Sequence, residues 1–150
     1  MEENILEIVE KSCRIHRDVI AVKYLSHREI VEKSYGDLWD DIRKTAVILR
    51  NNGLCGTHIA LVGSSSYEWI CAYMAILFTG NTAVPLDANL SASELHELLN
   101  RSGSTALFCG ASRKDVITEL TADCPRMNVV FTMEKKVDIE RPEGADSNPQ

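Results

Sequence analysis

No long apolar run occurs in this sequence. Its most hydrophobic stretch, residues 69–78, is about ten residues, half of what a membrane-spanning helix needs. The N-terminus MEENILEIVEKSCRIH is acidic and amphipathic, with no basic start ahead of an apolar block, so a secretory signal is not expected. Cys13, Cys55, Cys71, Cys109 and Cys124 form no CxxC pair and keep no regular spacing. An odd count without a framework points to reduced thiols and a cytoplasmic setting, and Cys71 and Cys109 sit in apolar runs where cysteine acts as a small hydrophobe. His16, His27, His58 and His96 make no HxH or HxxxH pair, which leaves metal binding unsupported. Neither GxGxxG nor GxxxxGK[ST] is present. Positive charge is in deficit, 16 Lys and Arg against 22 Asp and Glu, for a net charge of −6. Nucleic acid and anionic membrane attract cationic surfaces, so neither is expected as a partner.

What the chain does have is regular alternation. At 150 residues with 45% apolar and 25% charged residues, it has the size and composition of one soluble globular domain. Ile5, Ile8, Val9 and Cys13 put an apolar stripe on a helix over residues 4–16. Extended runs at 19–25 and 30–33, separated by Ser26, His27 and Arg28, predict a hairpin. Four helix starts share one chemistry: Ser34 with Asp37, Ser65 with Glu68, Ser91 with Glu94, and Ser112 with Asp115. In each, the hydroxyl can accept from first-turn amides while the acid bonds back to the cap. Between the helices lie short apolar runs at 58–62, 82–86, 105–109 and 128–132. Their apolarity is continuous rather than alternating, as in strands covered on both faces. Strand–helix alternation then predicts right-handed crossovers and an α/β fold of three layers, a mostly parallel sheet with helices on both faces.

Residues 75–87, AILFTGNTAVPLD, compress this grammar. Gly80 stands where a helix needs a left-handed residue after its last turn. Pro85 and Asp87 are expected to end the following strand and turn the chain. From residue 133 onward the composition is charged and rich in turn formers, so 1–132 is expected as the α/β domain and 133–150 as a polar linker or tail.

The candidate sites compete with plainer readings. Gly63-Ser64-Ser65-Ser66 follows a strand and opens a helix, where phosphates often bind, but it lacks a lysine and Ser65 is expected as a cap. Asp40-Asp41 beside Arg43-Lys44 reads as a solvated helix face rather than a carboxylate pair. Glu94 and Glu97 around His96 read as the polar face of another helix. Trp69 and Tyr73, one turn apart, are expected in the core. A receiver domain would need an acidic pair after its first strand, and Asp87 alone does not supply that pattern. The residues themselves name no catalytic, cofactor-binding or metal-binding group.

Lys33-Ser34-Tyr35-Gly36-Asp37-Leu38 resembles the "[ST]-Y-x-E-L" element of the adenylate-forming (AMP-binding) superfamily. The downstream sequence through residue 108, with the helix–Gly–strand–Pro-Leu-Asp block at its centre, is similar to that family segment by segment. Tyr67-Glu68-Trp69 and Val84-Pro85-Leu86-Asp87 look most like the long-chain fatty acid–CoA ligase branch. Asn81, Thr82 and Ala88 depart from the usual pattern. The resemblance implies activation of a carboxylic, by this branch fatty, acid with ATP and Mg²⁺, through an acyl-adenylate to a thioester with coenzyme A. It also implies a phosphate loop "[ST]-[SG]-G-[ST]-[ST]-G-x-[PT]-K-G", which this sequence does not contain. In family members that loop lies a few dozen residues beyond the last strand here. The expectation is therefore an N-terminal fragment, inactive alone, whose ATP, Mg and coenzyme A belong to the parent. Its partner would be the remainder of the ligase chain, with self-association through exposed apolar surface. The alternative is a free-standing, non-catalytic binding module on the same scaffold.

Overall fold

The first helix, α1 (Ile5–Ile15), starts on Asn4, whose side-chain oxygen accepts the Glu7 amide at 2.9 Å. In this computed structural model residues 4–64, 66–133 and 136–137 are described. They fall into two units, Met1–Gly56 with Ser65–Asn81, and Thr57–Ser64 with Thr82–Gln150.

In the first unit the expected hairpin forms from β1 (Ile20–Ser26) and β2 (Glu29–Ser34), antiparallel, with Leu25 opposite Ile30 and Lys23 opposite Glu32. His27 and Arg28 make its turn with φ of 50° and 68°, the left-handed pair that matches strand twist in a two-residue connection. Helix α2 (Tyr35–Asn51) opens with a complete capping box, Ser34 Oγ accepting from the Asp37 amide and Asp37 accepting from the Ser34 amide, both at 3.0 Å. Its predicted stripe, Leu38, Ile42, Ala46 and Leu49, is buried. Helix α3 (Tyr67–Phe78) is capped by Ser66, which accepts the Trp69 amide at 3.1 Å. The cap thus falls one residue after the expected Ser65, which lies outside the described residues. Gly80 has φ of 77°. Its amide bonds to Leu77 O and the Asn81 amide to Ile76 O, both at 3.1 Å, which is the paired closure of a Schellman ending.

The second unit holds a sheet in the order β4-β3-β5-β6-β7. Strands β3 (His58–Val62), β4 (Thr82–Leu86), β5 (Ala106–Cys109) and β6 (Val129–Thr132) are parallel, as expected, and β7 (Lys136–Val137) is antiparallel to β6. That last pairing lies within the stretch expected as a tail. Residues 138–150 are outside the described residues. Ile59 to Val62 and Ala106 to Cys109 are buried at every position, in keeping with their continuous apolar runs. The expected α/β class with a mostly parallel sheet is what the chain forms.

Helix α4 (Ala92–Ser102), a 3-10 helix over Ala111–Ile117 and the short α5 (Leu120–Asp123) pack Leu95, Leu99, Val116 and Leu120 against Ala60, Val62, Leu107 and Val130. Two expectations change here. Ser112 does not cap a helix: the 3-10 segment begins after Gly110 without a side-chain cap, because Arg113 leaves helical geometry (φ −123°, ψ 34°) to serve other contacts. Pro85 does not end β4 but lies inside it, opposite Leu61, since an edge strand has no ladder partner on its outer side to miss the N–H. Asp87 does turn the chain, its Oδ1 accepting the Asn89 amide at 2.8 Å. No helix among the described residues is long and apolar enough to cross a membrane.

Candidate functional site

The carboxyl ends of parallel strands, at the point where the strand order reverses, are the usual ligand position in an α/β sheet. Here that point lies between β3 and β5, since β4 flanks β3 on one side and β5 on the other. Gly63 and Gly110 close these two strands and touch backbone to backbone. The Gly110 amide bonds to Val62 O at 2.7 Å. A Cβ on Gly63, whose φ is 155°, would meet Gly110 Cα and N at 3.3 Å.

Next to them Arg113 fixes the turn after β4. Its Nη1 donates to Ala88 O at 2.6 Å and Leu90 O at 2.7 Å, and its Nε and Nη2 grip Asp115 at 3.0 Å each. The guanidinium bonds hold the Asp115 carboxyl below its usual range. This arginine is committed to protein oxygens. The Gly63 loop offers phosphate little: Ser66 is spent on its cap and Gly63 is packed on Gly110. Among the described residues no group of three or more His, Cys, Asp or Glu could hold a metal ion.

The first unit contains a polar cluster around Asp41. Tyr67 is buried and donates its hydroxyl to Asp41 Oδ2 at 2.5 Å. Lys33 Nζ approaches the same oxygen at 3.6 Å and Lys44 Nζ reaches Oδ1 at 3.9 Å. Lys33 also lies 5.3 Å from the Tyr67 ring centre, and Tyr24 stacks on that ring at 5.4 Å. Burial, then the bond to Asp41, pushes the Tyr67 hydroxyl far above the ordinary phenol range. Burial likewise pushes the neighbouring Cys71 thiol up to about 11. Such a tyrosine stays protonated and acts as a fixed donor, tying the hairpin, α2 and α3 together. The plain reading of Asp40-Asp41 is right for Asp40, an exposed partner of Arg17 at 3.7 Å, and wrong for Asp41.

Trp69 and Tyr73 are stacked on each other, ring centres 5.2 Å apart, but only half-buried, so the core expectation for them holds in part. His96, expected on a polar face, is buried among α4, the 3-10 helix and α5. Its one sequence signal is its place directly after Leu95 and three before Leu99, at the edge of the apolar stripe. His16, His27 and His58 are exposed and separate. Cys13, Cys71, Cys109 and Cys124 are buried and Cys55 is exposed, all as free thiols. An open depression of about 420 Å³ lies along α1, lined by Glu7, Glu10, Lys11, Arg14 and Phe78 among others.

Residues 9–149 match the family model described as AMP-binding enzyme. An acyl-CoA ligase from Penicillium expansum is 27% identical over 106 residues, spanning 70% of this chain but 22% of its own length. Cyclosporin synthetase from Tolypocladium inflatum is 31% identical over 112 residues, 73% of this chain and 1% of that protein. The crystal structure of coronafacic acid ligase from Pectobacterium brasiliense superposes with a TM-score of 0.79 at 25% identity, covering 88% of this chain and 26% of that one. The chain therefore spans about a quarter or less of each of these three proteins. It belongs to the AMP-binding enzyme family.

Proposed function

We propose that this chain is the N-terminal scaffold of an ATP-dependent carboxylic acid–coenzyme A ligase. The parent would join a carboxylic acid to AMP, release pyrophosphate, and pass the acyl group to a thiol. Residues 1–132 would form the α/β part of its nucleotide-binding domain and 133–150 the link onward. The observation that carries this reading is the pairing of a match across residues 9–149 with coverage of only 22% of the acyl-CoA ligase. In this reading the chain supplies frame and no reacting group. ATP, Mg²⁺ and coenzyme A act on residues of the remaining ligase chain, which is its partner.

A fatty acid is the favoured substrate on the Tyr67-Glu68-Trp69 and Val84 to Asp87 likeness, and the relatives' names cover other acids as well, coronafacic acid among them. Alone, the chain is expected to self-associate, because Leu25, Ile30 and Ile5 are 60% or more exposed and apolar surface seeks cover. Sedimentation at rising concentration tests that clause, and a strictly monomeric profile contradicts it.

Sequencing the genomic reading frame past Gln150 tests the main reading. It predicts, within a few dozen codons, a Gly/Ser/Thr-rich loop bearing a lysine. A stop codon directly after Gln150 overturns it in favour of a free-standing binding module.

A further inference from the structure

The hairpin has two unlike faces, because successive strand residues point to opposite sides. Tyr24 and Val31 are half-buried on one side, where Tyr24 stacks on Tyr67. Lys23, Leu25, Ile30 and Glu32 are exposed on the other. Leu25 and Ile30 stand directly opposite each other and are the two most exposed large apolar side chains among the described residues, at 73% and 69%. One exposed leucine is ordinary. Here, however, a whole apolar rung is exposed, and two positions along the same face Lys23 stands opposite Glu32. Among the described residues neither of these charges forms an ion pair.

The inner side holds this face still. Lys33 Nζ lies 3.6 Å from Asp41 of α2, and Ser34, the last residue of β2, caps α2. A face fixed in advance loses little freedom when it docks.

Its pattern fits a second copy of itself. In a two-fold pair the same patch is used on both sides, so it must be complementary to itself. When two hairpins stack face to face about a two-fold axis parallel to the strands, β1 lies over the partner's β2. Leu25 then meets the partner's Ile30 and Lys23 meets the partner's Glu32, each contact occurring twice. A two-fold axis across the strands would instead lay β1 over the partner's β1, and β1 (IAVKYLS) contains no acid to receive Lys23. Charge complementarity selects the first arrangement. We propose that two copies of this chain pair through the outer face of the hairpin in that way. The proposal deepens the self-association expected above and rests on it. Two short strands offer a small face beside the roughly 800 Å² a side of a standard interface, so the pair is a weak one.

Sedimentation equilibrium of the full 150-residue chain at rising concentration tests this with two exposed charge reversals. Lys23→Glu sets acid against acid at both contacts, and Glu32→Lys sets base against base. Each variant alone is expected to pair about tenfold more weakly than the parent. Mixed one to one, the two variants oppose unlike charges at both contacts, and association should return to the parent's strength. A mixture that associates no better than either variant overturns this pairing and leaves self-association to another surface. An unsubstituted chain that stays monomeric overturns the pairing and the self-association together, and leaves the face to the remaining ligase chain. Should a variant not fold, the methyl signals of Leu25 and Ile30 in the unsubstituted chain decide. They are expected to shift with concentration, and shifts confined to other methyl groups overturn the proposal.

Discussion

Tyr67 and Asp41, on α3 and α2, are joined by a 2.5 Å hydrogen bond from phenol to carboxylate, with Lys33 of the hairpin 3.6 Å from the same oxygen. The hairpin, the helix that follows it and the more distant α3 meet at one carboxylate. The bond is charge-assisted and its donor buried, the combination in which a hydrogen bond contributes most. Tyr67→Phe keeps the ring stack on Tyr24 and removes only the donor. It is expected to lower unfolding stability by about 1.5 kcal/mol, and Asp41→Asn in a double-mutant cycle should show most of that as coupling. Urea unfolding with an unchanged slope measures both. A loss in Tyr67→Phe within the error of the fit would contradict the role given to this pair.

The glycines make a second, ranked prediction. At Gly80 a Cβ would meet nothing within 4 Å, so Gly80→Ala carries only the left-handed backbone term, about 1 kcal/mol. At Gly63 the same substitution adds a 3.3 Å collision with the Gly110 backbone, which cannot rotate away. Gly63→Ala should therefore cost more than Gly80→Ala by unfolding midpoint. The reverse order would show that the two strand ends do not meet as described.

A pH dependence follows from the capping box. The Ser34 amide, then the Ser34 hydroxyl, hold the Asp37 carboxyl below its usual value. A depressed carboxyl stabilises the folded chain above the unfolded value of about 3.9, and the contribution disappears as pH falls through the folded value. Asp37→Asn should be less stable than the parent at pH 6, and the gap should close as pH falls through the folded-state value. Thermal midpoints of both chains across that range measure it. A gap independent of pH would remove charge from the account of this cap.

Thiol reactivity should separate the cysteines. Burial pushes the Cys71, Cys109 and Cys124 thiols up to about 11, which leaves almost no thiolate at pH 8, and Cys55 is the exposed one. A thiol-exchange reagent at pH 8 should modify Cys55 at once and the buried thiols only on unfolding. Peptide mapping of the labelled chain checks this, and early labelling of Cys109 would contradict the burial of β5.

Local chemistry made much of the fold legible in the sequence. Ser34 with Asp37, the stripe from Leu38 to Leu49, and Gly80 after Phe78 each act through neighbours within one or two turns, so their spacing carries the whole signal. What the sequence hid depends on distant partners. Arg113 breaks the expected helix from Ser112 because its hydrogen bonds go to Ala88 and Leu90, more than twenty residues back. Asp41 reads as one more surface acid until Tyr67, 26 positions away, is folded onto it. His96 reads as polar because its acceptors, Val116 and Asp123, follow 20 and 27 residues later. The cap of α3 moved by one residue within a run of serines, where chemistry alone cannot choose among neighbours.

The central claim is that this chain is ligase scaffold and carries no adenylating chemistry of its own. ATP–pyrophosphate exchange, run on the 150-residue chain with Mg²⁺ and straight-chain fatty acids of graded length, tests it most directly. The account predicts label transfer no greater than in a mixture without protein. Acid-dependent exchange above that background would contradict it, since the chain would then hold an adenylating site of its own.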